Sequence, residues 1–249
     1  MKPPTPRFAG TRLYCDLPLS PGAEIALPET AARHAVTVLR LQVGDTLSLF
    51  NGEGGEYRAT LVAVSKREAR VRVIEFLATE RESPVDITLA LGISAGERMD
   101  YSLQKATELG VSAIAPLATE RSVVKLAGER AGKRLQHWQH VVIAACEQCG
   151  RNRVPAVAPV QKLFDYLAAI DRNQRLLMLS PDADTPLKRV APPAAAVLLI
   201  GPEGGLAPAE YQAAQASGFE PVRLGPRILR TETAPVAALA VLQALWGDF

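Results

Sequence analysis

The sequence predicts an α/β protein in two parts: a small N-terminal β-barrel and a larger domain built on a mostly parallel sheet. Three observations predict it. Short alternating strands fill the N-terminal region, and strands then alternate with helices beyond a polar linker. Near the C-terminus, two glycine-proline loops each join a buried strand to a helical pattern, and we expect them to shape one ligand crevice at the carboxyl ends of adjacent parallel strands. The chain has 249 residues, of which 48% are hydrophobic, so it can bury a core without disulfides.

The N-terminal region has the spacing of a small barrel, since regular short strands separated by turns are typical of one. A strong hairpin signal, Asn-Gly-Glu-Gly-Gly, occupies residues 51–55, a polar turn occupies residues 65–70, and one helix is predicted at residues 28–39. The predicted strands are residues 11–15, 45–50, 57–64 and 71–76.

A polar segment that ends in proline, residues 79–84, predicts a linker. The predicted domains are therefore residues 1–80 and residues 81–249. In the second domain, strands are predicted at residues 87–93, 112–117, 175–179, 196–200 and 221–224, and helices at residues 97–109, 130–148, 208–216 and 233–246. This alternation favours a parallel sheet covered on both faces.

The last predicted helix carries no charge from Thr233 to Gly247. A helix that is apolar on all sides must be buried on all sides. One face can pack on the chain's own sheet, and a second copy of the chain can cover the other. We therefore expect a homodimer through the C-terminal helix; the alternative is a helix enclosed within one domain.

Charge and cysteine content narrow the function classes. The net charge is only +2, so a basic nucleic-acid surface has to be local. Three scattered cysteines favour a reducing compartment. Residues 1–10 lack the apolar run of a secretion signal. No stretch has the roughly 18 apolar residues of a membrane span. The pair Cys146 and Cys149 lacks two further zinc ligands, so no metal is expected. These features predict a cytoplasmic protein without membrane segments.

The first glycine-proline loop, residues 200–205, follows an apolar strand. It matches neither a dinucleotide-binding nor a Walker A pattern, and the carboxylate of Glu203 would repel a phosphate. Such a loop suits a neutral or cationic ligand, because glycine allows close backbone approach and proline stiffens the turn. The alternative is a tight turn between a strand and a helix.

The second loop, residues 224–234, concentrates Arg227, Arg230 and Glu232 around two apolar residues, Ile228 and Leu229. Apolar groups in a loop can hold a ring the size of adenine. The alternative is a capped helix, with Thr233 as the cap, beside a surface ion pair.

Local basic groups follow the long helix of residues 130–148. Arg151, Asn152 and Arg153 come directly after it, and cations and histidines lie along its side. The functional interpretation is phosphate contacts to nucleic acid; the alternative is a solvated helix face. Arg151 and Asn152, with Arg12 and Arg40 of the barrel, are the residues that we expect to contact a nucleic acid.

Four segments, taken in order, carry a family resemblance: residues 104–111, 145–151, 200–205 and 224–234. Together they resemble the small-subunit (16S) ribosomal RNA uridine-N3 methyltransferases of the SPOUT superfamily. The resemblance implies a trefoil-knotted SPOUT methyltransferase domain at residues 81–249 and an RNA-binding PUA-like β-barrel at residues 1–80. It also implies dimerisation and S-adenosylmethionine as the cofactor.

Carried over to this sequence, the family's loops suggest which residues form the site. One mild departure from the family's motif is Pro235, which comes early in the last predicted helix. Proline is tolerated in the first turn of a helix, so the assignment of the loop is unaffected. Arg230 is expected to stabilise negative charge on the uracil, and Glu232 is expected to accept a proton or to hold Arg230 in place. The expected cofactor-binding residues are Met178, Leu179, Ile200, Gly201, Glu203, Gly204, Gly205, Leu224, Gly225, Ile228, Leu229 and Thr233.

Two other functions remain open from the sequence. A SPOUT ribose 2′-O-methyltransferase would share the knot and the cofactor but modify the sugar. A catalytically inactive RNA-binding factor for ribosome assembly would use the barrel and not the crevice.

Overall fold

The computed structural model describes residues 10–65, 68–124 and 128–249. Residues 1–9, on which the prediction about secretion partly depends, lie outside them, as do residues 66 and 67 of the predicted turn. The chain divides into two compact units. The first comprises the residues up to Glu82 together with Cys146–Val154, and the second comprises Ser83–Ala145 and Pro155–Phe249. The sequence predicted one boundary, after residue 80. The structure differs in that the segment Cys146–Val154 packs with the first unit although it lies far beyond that boundary in the sequence.

The first unit contains a barrel-like mixed sheet of five strands in the order β1-β3-β4-β5-β2. β1 pairs with β3 in parallel, and the other pairs are antiparallel. The predicted hairpin is present, because β3 and β4 flank residues 51–55. The strands are β1 (Thr11–Tyr14), β2 (Glu24–Ala26), β3 (Thr46–Phe50), β4 (Glu56–Val64) and β5 (Ala69–Leu77).

Two register shifts between β4 and β5, at Arg58/Ala59 and Leu61/Ala63, increase the local bend and twist of the sheet. The buried side chains between the strands include Leu13, Leu49 and Val71. Alternation along β5, whose residues 69, 71 and 73 are buried, explains why this strand was predictable from the sequence.

The helix predicted at residues 28–39 differs in form. It begins as α1 (Glu29–Arg33) and continues as one π-helical segment, His34–Val38. Arg40 follows with a φ of 55°, which is uncommon for a residue other than glycine. Periodicity cannot separate α from π geometry over five residues.

The second unit is a parallel sheet with the strand order β12-β10-β11-β6-β7-β8, and β9 also pairs with β7. Every pairing in it is parallel, as the strand-helix alternation predicts. The strands are β6 (Asp86–Gly92), β7 (Ala113–Ala118), β8 (Ala156–Val157), β9 (Gln161–Lys162), β10 (Arg175–Leu179), β11 (Ala195–Ile200) and β12 (Glu220–Val222).

In the described parts of the chain, five α-helices connect these strands or follow them. They are α2 (Glu97–Glu108), α3 (Gly128–Cys149), α4 (Leu163–Ala169), α5 (Pro208–Ala216) and α6 (Thr233–Trp246). Among the described residues, none of these helices combines the length and apolar character that a membrane crossing requires. The trefoil knot implied by the resemblance stays a prediction.

Strand order decides which loops can meet. The sequence predicted that the strands before the two glycine-proline loops are neighbours, but β10 lies between β11 and β12. Because all three strands are parallel, the segments that leave their carboxyl ends emerge at the same edge of the sheet. The end of β10 therefore joins the two predicted loops in forming the site.

Candidate functional site

A cavity of about 560 Å³ lies in the second unit, lined by the segments that follow β10, β11 and β12. Its volume is in the range of pockets that hold small ligands. Most of the predicted cofactor-binding residues line it, namely Leu179, Ile200, Gly201, Gly204, Gly205, Leu224, Gly225 and Leu229. The two glycine-proline loops thus belong to one cavity.

Four predicted residues are not part of the cavity wall. Met178 is buried within β10, and Ile228 is 85% exposed. Thr233 is exposed at the first position of α6, and Glu203 turns to other partners. Since Ile228 points into solvent, only Leu229 of the predicted apolar pair lines the cavity.

The sequence did not indicate several wall residues. Arg121 comes from the segment after β7, and Tyr211 and Gln212 come from α5. Nothing local in the sequence brings these segments together, because they are far apart along the chain. The other wall residues not predicted are Ser180, Pro181, Asp182, Leu206, Pro208, Arg227, Thr231 and Ala234.

Backbone contacts explain two glycines at this edge of the sheet. A Cβ on Gly201 would lie 2.9 Å from the backbone nitrogen of Leu206, and a Cβ on Gly92 would lie 2.5 Å from the nitrogen of Pro202. Distances below 3 Å to backbone atoms cannot be relieved by moving a side chain. The first loop therefore folds tightly on itself and packs directly against the end of β6.

A buried carboxylate fixes the entry to α5. Glu210 is 2% exposed, and its Oε2 accepts a hydrogen bond from the backbone of Ala207 at 2.9 Å. Its Oε1 accepts a hydrogen bond from the backbone of Glu120 at 2.8 Å. Both carboxylate oxygens are thereby satisfied, and the segment after β7 is tied to the N-terminus of α5.

One hydroxyl in the cavity wall lacks a partner. Thr231 is 9% exposed, and its Oγ1 has no hydrogen-bond partner among the described residues. Buried polar atoms are nearly always hydrogen-bonded, so this hydroxyl is available to a bound ligand.

Glu203 and Glu232 both lie near one arginine. The Arg98 Nη1 is 3.3 Å from the Glu203 Oε1, and the Arg98 Nε is 4.0 Å from the Glu232 Oε2. Partial burial opposes ionisation of Glu203, but hydrogen bonds from the backbone of Ala95, from its own backbone and from Arg98 lower its pKa. Glu203 is thus a charged anchor of the first loop and not part of the cavity wall.

Of the two expected roles of Glu232, the one in which it holds Arg230 in place is not seen in this structure. Glu232 lies beside Arg98, whereas the exposed Arg230 has no side-chain partner among the described residues. The Arg230 carbonyl accepts hydrogen bonds from the backbone of Thr233 and Ala234, at 3.0 and 2.9 Å. The guanidinium of Arg230 therefore remains accessible from solvent.

Three of the four predicted RNA-binding residues are buried in the first unit: Arg12 is 6%, Arg151 is 5% and Asn152 is 0% exposed. Arg12 forms an ion pair with Glu56 and donates to the Asn152 Oδ1 at 2.7 Å, and Arg151 forms an ion pair with Glu82.

These three residues hold the segment Cys146–Val154 against the strands of the first unit, which leaves them no surface for RNA. The prediction that they bind RNA is therefore wrong for this conformation. Arg40 alone of the four is exposed.

Two of the three cysteines, Cys15 and Cys146, are buried structural residues. Burial raises the pKa of Cys146 to about 12, and the same cause raises the pKa of Cys15 to about 11. Both thiols are protonated and unreactive at neutral pH. Within the described part of the chain, no three His, Cys, Asp or Glu residues are grouped so that they could hold a metal ion.

Comparisons with known proteins agree with this architecture. A family model described as an RNA methyltransferase domain matches residues 81–243, and one described as an RNA methyltransferase PUA domain matches residues 27–74. The ribosomal RNA small subunit methyltransferase E of Bacillus subtilis is 34% identical over 86% of this chain and 89% of its own length.

Two solved structures are similar over 97% of this chain and 100% of their own. One is the ribosomal RNA small subunit methyltransferase E of Neisseria gonorrhoeae bound to S-adenosylmethionine, with 43% identity and a TM-score of 0.91. The other is a methyltransferase of Legionella pneumophila in complex with the same cofactor, with 40% identity and a TM-score of 0.93. The resemblance drawn from the four sequence segments is confirmed, and the chain belongs to the family of the ribosomal RNA small subunit methyltransferases E.

Proposed function

We propose that this chain binds S-adenosylmethionine in the cavity and methylates N3 of a specific uridine in small-subunit ribosomal RNA. The main support is the convergence of three strand ends on one cavity whose wall contains the predicted glycine loops. A ribosomal substrate also implies that the protein acts in the cytoplasm.

The cavity wall has the chemistry that this cofactor needs. Apolar side chains, among them Leu179 and Leu229, can enclose an adenine ring. Arg121, Arg227 and Asp182 bring both signs of charge to the wall, which suits a ligand with a carboxylate and cationic groups. The unpartnered hydroxyl of Thr231 can bond to a polar group of the ligand.

When bound, the cofactor supplies a methyl group on a positively charged sulfur. N3 of uracil carries a proton, so the protein has to stabilise the base as this proton leaves. The exposed guanidinium of Arg230 can offset negative charge on the uracil oxygens, and the Glu232 carboxylate can accept the proton directly or through water. N3 also lies on the Watson–Crick edge, so the uridine has to be unpaired or flipped out.

Nucleoside analysis tests this function. Small ribosomal subunits and protein-free ribosomal RNA, both from cells that lack this protein, would receive labelled methyl groups from S-adenosylmethionine, and the digested nucleosides would be identified by mass spectrometry. We expect 3-methyluridine. A 2′-O-methylated product would favour the ribose alternative, and absence of cofactor binding by calorimetry would favour the inactive assembly factor.

Replacing Gly201 by alanine should weaken S-adenosylmethionine binding at least tenfold, because the new Cβ would collide with the backbone 2.9 Å away and reshape the loop. Isothermal titration calorimetry measures this. The matched control is Gly132→Ala in α3, where the added Cβ has no described atom within 4 Å apart from the backbone of its own helix and its chain neighbours, so affinity should not change. Equal affinities of both variants would show that the first loop does not shape the cofactor site.

We also propose a homodimer through α6. The helix buries Ala238, Leu239 and Leu242 within its own unit, yet its other side bears no charge, and Leu245 is 45% exposed. Its one buried amide, Gln243, is satisfied by Ser83 and by the carbonyl of Leu109. An uncharged exposed side suits a second copy of the same helix.

A charge on the exposed side of α6 should therefore dissociate the dimer. We expect Leu245→Glu to shift the sedimentation coefficient from that of a dimer to that of a monomer, since two carboxylates would be buried without partners. Gln215→Glu, which adds the same charge at an exposed position of α5, should remain dimeric. A dimer that withstands Leu245→Glu would place the interface elsewhere.

A further inference from the structure

Arg98 connects the two loops of the site through their carboxylates. It lies in the first turn of α2, with its Nη1 3.3 Å from the Glu203 Oε1 and its Nε 4.0 Å from the Glu232 Oε2. Glu203 also accepts a hydrogen bond from the backbone of Ala95, at 3.0 Å, so the first carboxylate is held from two sides. The arginine is half exposed and does not line the cavity itself.

The second carboxylate is held differently. The Glu232 Oε2 is buried and has no hydrogen-bond partner among the described residues, because 4.0 Å is an ion-pair distance and too long for a hydrogen bond. A buried carboxylate oxygen normally accepts hydrogen bonds. Here the positive charge of Arg98 offsets the cost of burial, while the capacity of the oxygen to accept a hydrogen bond stays unused.

The other carboxylate oxygen, Oε1, is the one that a substrate can reach, because Oε2 is buried beside Arg98 whereas the Glu232 side chain as a whole is 31% exposed. Glu232 lies in the chain segment between Thr231 and Ala234, and both of these residues line the cavity. A uracil presents one N–H donor, at N3, and a carboxylate oxygen is its natural acceptor. The only ionic partner of Glu232 among the described residues is Arg98, so this arginine decides where the carboxylate sits.

We propose that Arg98 is a positioning residue for methyl transfer, which holds Glu232 by its buried Oε2 and leaves the other carboxylate oxygen open to the N–H donor of the substrate base. The inference rests on the proposed function and adds to it a residue outside the cavity wall. It differs from a purely structural role, in which Arg98 would only fasten the two loops and cofactor binding would depend on it.

The test compares Arg98→Gln, Arg98→Lys, Glu232→Gln and the double variant Arg98→Gln/Glu232→Gln. Lys105→Gln is the matched control, since Lys105 lies on the same helix but contacts neither loop: its Nζ is 2.7 Å from Glu108 and 5.9 Å from the centre of the Tyr101 ring, both on α2. Three quantities are measured: the melting temperature, the Kd for S-adenosylmethionine and the single-turnover rate of methyl transfer at saturating cofactor.

We expect Arg98→Gln to keep the melting temperature and to keep the Kd within about threefold, while the rate falls at least about tenfold. This loss can be smaller than the roughly 100- to 10,000-fold that a positioned proton acceptor contributes, because Glu232 itself is retained. Arg98→Lys should recover part of the rate because it retains the charge. The double variant should be no slower than Glu232→Gln alone, since Arg98 acts through Glu232.

Three results would overturn the proposal: an unchanged rate in Arg98→Gln, a loss of cofactor affinity as large as the loss of rate, or multiplicative effects of Arg98→Gln and Glu232→Gln. Failure of the proposed function is visible separately in the nucleosides made by the unaltered protein. If the methyl group is found on a ribose oxygen, the N3 assignment fails. The coupling of Arg98 to Glu232 is then tested with the rate of ribose methylation, and multiplicative effects of Arg98→Gln and Glu232→Gln on that rate would still refute the coupling.

Discussion

Replacement of Arg12 by alanine is expected to lower the free energy of unfolding by about 3 kcal/mol or more. The Arg12 side chain is only 3% exposed, forms an ion pair with Glu56, and donates hydrogen bonds to Asn152 and to the Arg151 carbonyl. Without it, the Glu56 carboxylate stays buried, with Arg81 3.8 Å away as its remaining partner. Urea unfolding followed by circular dichroism measures the loss.

The matched control is Arg58→Ala. Arg58 and Glu75 also form a pair within the first unit, at 2.7 Å, but both side chains are about half exposed. An exposed pair contributes about 1 kcal/mol or less, so this variant should be almost as stable as the unaltered protein. If Arg12→Ala were as stable as Arg58→Ala and bound ribosomal RNA less tightly, Arg12 would be a surface contact to RNA after all.

Arg12 also shows where the sequence stops being informative. In β1, both Arg12 and the adjacent Leu13 are buried, so the alternation that normally separates an inward from an outward face does not hold. The partners of Arg12 at residues 151 and 152 are about 140 positions away in the sequence. No local pattern specifies such a contact, and a cation on a short strand is ordinarily at the surface.

The loops of the site were predictable for the opposite reason. A glycine and a proline between an apolar strand and a helical pattern impose a local geometry, so Gly201 and Gly225 could be assigned to a ligand crevice from the sequence. The order of strands in the sheet is a tertiary property. The family resemblance indicated the end of β10, at Met178 and Leu179, as part of the site. The place of β10 between β11 and β12, the close approach of Gly92 and the contribution of Arg121 required the structure.

Arg230→Ala is expected to lower the rate of methyl transfer about 100- to 1000-fold, the loss typical when one group that stabilises developing negative charge is removed. The affinity for S-adenosylmethionine should stay within about twofold. The Arg230 side chain is absent from the cavity wall. Its backbone carbonyl accepts hydrogen bonds from the first turn of α6, and this carbonyl is retained in the alanine variant. Single-turnover assays at saturating cofactor and calorimetry measure the two quantities.

Arg227 provides the matched control within the same loop. It is also an exposed arginine, but it lines the cavity. Arg227→Ala should therefore weaken cofactor binding and leave the rate at saturating cofactor within a few fold of the original. If instead Arg230→Ala lost affinity for the cofactor and Arg227→Ala lost the rate of methyl transfer, Arg230 would be assigned to cofactor binding and Arg227 to catalysis. Both residues are exposed, and neither side chain has a hydrogen-bond or ion-pair partner in the described part of the chain. A difference between the variants therefore reports on the site and not on stability.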